Sequence, residues 1–228
     1  MRVLESRKTP FRWWRLNDVA DERSILDAYA SVPTPDWPRW VRYSNEIENA
    51  KRTTREVKLS FPIDHLSGHL AGSEVKRHFS ALSGVSPLLN DPELYGAGLH
   101  VIDPGGWLQV HGDYELHPRL EGYERRLNLI VWLNPIWEPE WGGSLLLCDG
   151  MGKRIKSFLP TPGEAILFEG GPTAYHGTEQ TADDAPPRVT MAMYYLARAR
   201  PSATRSRALF MPNRESPKCP VEVRMADA

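Results

Sequence analysis

The segment Gln109-Val110-His111-Gly112-Asp113 sets an imidazole and a carboxylate two residues apart on what reads as extended chain. Strand side chains alternate, so both point to one side. A second imidazole, His176 in Tyr175-His176-Gly177, returns to that side if the intervening chain folds as antiparallel sheet. Two imidazoles and one carboxylate on one face leave three positions of an octahedral metal open, the arrangement with which non-haem Fe(II) activates dioxygen. Arg188, in Arg188-Val189-Thr190, follows twelve residues after His176 and offers a fixed fork for a carboxylate. Taken alone, His111-x-Asp113 fits equally a locally bonded histidine and an aspartate in an Asx turn. The ordered series carries the reading.

Other histidines compete. His117 follows His111 by six residues in a Pro-containing loop and reads as a rim residue; His100 lies on the strand leading in, facing either the pocket or a polar cluster. His65 and His69 have the i, i+4 spacing of a helical metal site, but no HExxH glutamate is present and Gly68 stands between them.

Positioning these groups requires strands. From Tyr95 onward, short apolar runs alternate with Gly/Pro turns: Leu99 to Ile102, Trp107 to Val110, Leu127 to Leu133, Ser144 to Cys148, Glu164 to Phe168 and Arg188 to Leu196. That texture predicts an antiparallel barrel or jelly roll. Before it, residues 1–94 read as a mostly helical extension, with one helix from Asn17-Asp18 to Tyr29 and another from Leu66 to Leu82. Pro33, Pro35 and Pro38 break the chain between them, where Trp37 and Trp40 either line an opening or pin the loop. The polar stretch Ser44 to Arg55 reads as solvated or substrate-facing. Residues 198–228, rich in Arg and Pro, read as a solvated, partly extended tail. The expected organisation is a single domain of 228 residues.

Composition excludes several classes. A net charge of -1 argues against a general nucleic-acid binder, and 41% hydrophobic residues suffice for a sizeable core. Cys148 and Cys219 form no CxxC pair and read as reduced structural thiols. Met1 to Leu16 lacks the apolar core of a signal peptide, and no apolar run approaches the ~18 residues of a membrane span. The expected location is the cytoplasm.

Taken in order, Gly98-Leu99-His100, Pro104-Gly105-Gly106, His111-Gly112-Asp113, Arg126-Leu127-Asn128, Leu133-Asn134, Trp141-Gly142-Gly143-Ser144-Leu145, His176-Gly177 and Arg188-Val189-Thr190 resemble the Fe(II)/2-oxoglutarate-dependent dioxygenases. The likeness is to the branch similar to the prolyl 4-hydroxylase catalytic domain, and it covers roughly residues 95–196. It implies a mainly β fold: a double-stranded β-helix core (jelly-roll, cupin-like) over 95–197, buttressed by helices. It implies His111, Asp113 and His176 as iron ligands and Arg188 as partner of the C5 carboxylate of 2-oxoglutarate. Thr190, on the same strand face, would add a hydroxyl to that carboxylate. Asn128, on a face with Arg126, Ile130 and Trp132, would be a polar contact of the cosubstrate.

The implied cofactors are Fe(II), 2-oxoglutarate and O2, with ascorbate as a supporting reductant. The implied reaction is hydroxylation of an unactivated C–H bond with release of succinate and CO2. Halogenating relatives lack the carboxylate that Asp113 supplies here. Animal prolyl hydroxylases usually carry Lys where this chain has Arg188, which leaves the substrate open among peptidyl-proline, a free amino acid and another small molecule. Trp107, Tyr114, Trp137, Trp141 and Tyr175 either shape the pocket mouth or pack. The alternative from another class is a non-catalytic, cupin-like module binding a metal or small ligand. No nucleic-acid or membrane partner is implied, and the sequence leaves the oligomeric state open.

Overall fold

The computed structural model describes residues 1–56, 58–211 and the backbone of 221–223. Its centre is one long strand, β6 (Gly98–Gly112), preceded in the chain by β1 (Arg2–Arg7), β2 (Trp13–Asn17), β3 (Val41–Tyr43), β4 (Glu48–Thr54) and β5 (Leu89–Asn90). After it come β7 (Tyr123–Trp132), β8 (Leu145–Cys148), β9 (Arg154–Phe158), β10 (Glu164–Glu169), β11 (Tyr175–Thr178), β12 (Arg188–Arg198), β13 (Ala208–Phe210) and β14 (Val221–Val223). Three helices, α1 (Glu22–Ala30), α2 (Phe61–Leu70) and α3 (Ser73–Ser83), cover one face.

All the strand pairs are antiparallel, in the order β1-β2-β10-β7-β12-β6-β11-β8-β9. The first half of β6 pairs with β12 through Gly98 to Ile102, and its second half pairs with β11 through Leu108 to Gly112. One strand thus belongs to both halves of a curled sheet. The expected Pro104-Gly105-Gly106 turn is a bulge within this strand: β4 opposes Ile102 with Lys51 and Trp107 with Asn49, and Gly105 takes φ +72.

Alternation on the central strands sorts side chains into two cores. Leu127, Leu129 and Val131 of β7, and Val189, Met191, Met193 and Tyr195 of β12, face the helices, where they meet Ile25, Ile63, Leu66, Leu70, Val75 and Phe79. The opposite face turns inward, where Trp13, Trp132, Ile166 and Phe168 meet Leu145, Leu147 and Phe158 across the curl. The jelly-roll expectation for the core holds.

The mostly helical extension expected over 1–94 needs correction: four strands, β1 to β4, join the sheet or its edge, with the short β5 beside β12. β4 looks solvated in sequence because it is polar. It is half-buried because its charges are paired, Lys51 with Glu48 (2.6 Å) and Arg52 with Asp103 (2.5 Å). The single helix expected over 66–82 is two, α2 and α3, parted at Ala71-Gly72, and α1 starts later than expected, capped by Asp21, which accepts from Ser24 N (2.9 Å). Trp37 and Trp40 pin their loop, packed edge-on at 5.6 Å with Trp40 Nε1 donating to Thr34 O. Cys148 is buried and its thiol is pushed up to about 11 by burial, an inert thiol as expected; Cys219 lies outside the described residues.

β11 approaches β6 so closely that a Cβ on Gly177 would stand 2.9 Å from Leu108 O and 3.1 Å from Val110 Cα. Gly177→Ala should part these strands, at a cost of about 1–3 kcal/mol. Thermal unfolding of the variant should show a midpoint several degrees lower; an unchanged midpoint would mean the strands accommodate the methyl group.

Candidate metal centre

His111 and His176 are direct cross-strand partners on β6 and β11, and partners directly opposite share a face. Their rings lie 4.4 Å apart between centroids. Asp113, just past the end of β6, brings Oδ1 to 3.6 Å from His111 Nε2 and Oδ2 to 3.5 Å from His176 Nε2. One ligand atom from each residue lies within 4.8 Å of the others. His111 Nδ1–H donates to Gln109 O (2.8 Å) and His176 Nδ1–H to Ala174 O (3.2 Å). A ring nitrogen facing a carbonyl must carry the proton, which leaves both Nε2 lone pairs for a metal.

The carboxylate is held charged. Burial alone would raise Asp113, but the Arg125 guanidinium and then the two imidazoles outweigh it and keep the carboxyl well below its ordinary range. Arg125 Nη1 is 2.7 Å from Asp113 Oδ2, though off the hydrogen-bond line, and the guanidinium lies between the rings of Tyr114 (3.8 Å) and Tyr194 (3.5 Å). Asn128 Nδ2 donates to the same Oδ2 (2.6 Å). Oδ2 is therefore engaged by protein as well as facing His176, and Oδ1 faces His111. His176 is lowered to about 4 by burial and then by His111, so it is neutral and competent as a ligand.

At the other end of the pocket, Arg188 is buried and lowered to about 10 by desolvation alone. Its Nε donates to Gly143 O (2.8 Å), while Nη2 is buried with no partner. Gly143, at φ +69, makes room: a Cβ there would meet Arg188 Cδ at 3.2 Å. Trp132, opposite Thr190 and so on the same face, also buries an unpartnered Nε1–H. The orphaned Arg188 donor, in the pocket that Thr190 also lines, fits a carboxylate, since a buried donor without a partner is costly. Trp132 does not line that pocket and packs with Ile166 and Phe168.

The expected residues do not all take their expected places. His111, Asp113, His176, Arg188 and Thr190 line one pocket, together with His100, which burial, Lys51 and Arg188 lower to about 3 and so keep neutral. Asn128 is on this face, but its amide serves Asp113 rather than the Arg188 end. His117 is not a rim residue: its Nδ1 accepts from Arg119 N and Leu120 N, and its Nε2–H donates to Asp91 (3.1 Å), both side chains fully buried. His69 is bonded to Val19 O and His65 stacks on Phe61, so neither joins a metal cluster among the described residues. Of the five aromatic residues considered, Tyr114 lines the pocket, while Trp137 and Trp141 pack on each other at 5.5 Å.

Arg125 escaped the sequence reading because β7 carries a bulge. Tyr195 opposes Leu127 but Leu196 opposes Arg125, so Arg126 is the extra residue and Arg125 turns to the pocket side. Strict alternation had put Arg126 there. Tyr194 needed no such signal: it continues the period-two face of Arg188 and Thr190. A cleft of about 250 Å³ adjoins the pocket through Lys51, Gly96 and His100, with Tyr43, Arg55 and Tyr95 on its walls.

Residues 97–196 match the family model of the 2OG-Fe(II) oxygenase superfamily. Prolyl 3-hydroxylase OGFOD1 of Mus musculus is 31% identical over 98 residues, which is 41% of this chain; the chain covers only 17% of that protein's length. The fold is similar to that of a Pseudomonas putida prolyl-4-hydroxylase (TM-score 0.57, 16% identity, 82% of this chain and 92% of that one). It is also similar to a Trichoplax adhaerens prolyl hydroxylase in complex with a hypoxia inducible factor peptide fragment (TM-score 0.53, 17% identity, 80% and 82%).

Asp91, buried beside His117, also accepts from Glu93 N and Tyr95 N, and so fixes the segment that lines the pocket at Gly96. Burial would raise its carboxyl, but the His117 hydrogen bond and then these amides lower it. A depressed carboxyl gives stability that is present above its unfolded value near 3.9 and is lost as pH falls through the folded one. Asp91→Asn should therefore cost roughly 1–3 kcal/mol at pH 7. In urea melts this gap should narrow below about pH 4; a gap that does not change with pH would contradict the assignment.

Proposed function

Since residues 97–196 belong to the 2OG-Fe(II) oxygenase superfamily, with Fe(II) and 2-oxoglutarate as the implied cofactors, we propose that the chain hydroxylates a C–H bond of a prolyl residue in a peptide or protein. The observation that carries this reading is one pocket with three metal-ligand atoms at one end and the unpartnered Arg188 Nη2 at the other. Bound together there, Fe(II) and 2-oxoglutarate supply the oxidising chemistry, in which O2 is reduced, 2-oxoglutarate gives succinate and CO2, and one oxygen atom enters the substrate C–H bond.

The chain's own residues hold and exclude. His111 Nε2, His176 Nε2 and Asp113 are the proposed iron ligands, with Asn128 and Arg125 fixing the carboxylate. Arg188 and Thr190 are the proposed partners of the far carboxylate of 2-oxoglutarate. Neutral His100 offers no charge to divert it. Leu145, Ile130 and Phe210 line the pocket with apolar surface that keeps water from the reacting atoms. The adjoining cleft is the proposed path of the substrate chain, and the prolyl preference is supported by the mouse relative, which matches 98 residues of this chain.

Incubation with Fe(II), 2-oxoglutarate and a library of proline-containing peptides should give succinate and a peptide heavier by one oxygen in equal amounts, the added mass on proline. Peptide-independent turnover alone, or oxidation at another residue, would contradict the prolyl assignment. Thr190→Val removes the hydroxyl from the proposed carboxylate site, worth about 0.5–1.5 kcal/mol. The KM for 2-oxoglutarate should rise about twofold to tenfold with kcat little changed; an unchanged KM would remove Thr190 from that site.

A further inference from the structure

The stretch 198–211, expected as solvated tail, instead crosses the metal pocket. Ala199 N donates to Gly122 O and Arg200 pairs with buried Glu124 (2.6 Å), anchoring its start. Arg205 O then accepts from Glu115 N (2.7 Å) and Leu116 N (3.0 Å). β13 follows, with Leu209 opposite Gly112 and Phe210 opposite His111; the Phe210 ring stacks on the His111 imidazole at 5.0 Å and 22°. Met211 N donates to Val110 O, closing the crossing.

Within it, the Arg205 guanidinium is a three-way tie. Nε donates to Asp113 O (2.8 Å), Nη2 to Gly171 O (3.2 Å) and Nη1 to Pro172 O (3.3 Å). The first carbonyl belongs to the residue that supplies the carboxylate. The other two belong to the turn that leads into β11 and His176. These are the two segments whose relative position sets the spacing of His111, Asp113 and His176. Only a planar fork with several fixed donors spans both. Gly112 leaves the space: a Cβ there would stand 3.0 Å from Arg205 Nη2 and 3.3 Å from the Tyr175 ring.

We propose that Arg205 is a positioning residue for the metal centre, setting the distance between the Asp113 and His176 segments without touching the metal. The inference rests on the oxygenase reading of the site. It makes the 198–211 crossing, with Phe210 against His111, part of the working centre.

The test is a titration of metal-free full-length protein with Co(II), following its visible absorption, in wild type, Arg205→Ala, Arg205→Lys and Arg200→Ala. Thermal midpoints are measured without metal. Arg200→Ala loosens the same crossing at its anchor but leaves the tie intact, so it controls for stability. Groups that orient metal ligands typically carry about 10–100-fold in metal affinity. Arg205→Ala should bind Co(II) at least about tenfold more weakly than wild type, and Arg205→Lys should fall between them. Arg200→Ala should keep wild-type affinity whatever its midpoint. Equal affinity in wild type and Arg205→Ala would overturn the proposal, as would an equal loss in Arg200→Ala. If the alanine variant does not fold, an undiminished affinity in Arg205→Lys overturns it. Failure of wild type itself to bind Co(II) would sink the metal-centre reading, and this inference with it.

Discussion

A charged carboxylate inside a protein must be compensated, and much of the polar architecture of this molecule answers that need at Asp113. Its side chain meets Arg125 and Asn128 on one oxygen and two imidazoles beyond, and its backbone carbonyl meets Arg205. Arg125 is itself a buried cation, raised by Asp113 against the desolvation that would lower it, and the faces of Tyr114 and Tyr194 stand in for the water it has lost. A metal added there joins a site in which the carboxylate is already ionised and the His176 imidazole already neutral, so neither group need lose a proton before it binds.

The sheet makes such a site possible by having two unlike faces on the same strands. On β12, Val189, Met191, Met193 and Tyr195 bury against helices, while Arg188, Thr190 and Tyr194 line the pocket. The apolar face supplies the burial that holds the strand in place, and a register slip would exchange the faces and destroy both core and pocket together. Rigidity at the pocket is therefore a by-product of the hydrophobic layer behind it. β6 adds the second requirement, since it runs through both halves of the curl and ends at the ligands.

Much of this was legible in the residues. His111 stands at the extended end of β6 with Asp113 just beyond it, and Arg188 with Thr190 lies on a regular strand where period-two reasoning works. It failed at Arg125, because a bulge changes the parity of one strand and no local residue type announces it. It failed for 198–211, and left β4 open between solvent and substrate, because both are polar. Composition suggests solvent, whereas the buried charges of β4 and the donors of Arg205 have partners far away in sequence. β11 is only four residues between turns, too short for a periodic pattern, and was found through its histidine alone.

The central claim is that metal and cosubstrate share one pocket, with His111, Asp113 and His176 at one end and Arg188 at the other. Anaerobic addition of Fe(II) and then 2-oxoglutarate to the metal-free protein, followed by visible absorption, tests it most directly. The account predicts a charge-transfer band that needs both additions, is lost in His176→Ala and requires more 2-oxoglutarate in Arg188→Met. A band that forms equally in His176→Ala, or no band with iron bound, would contradict it.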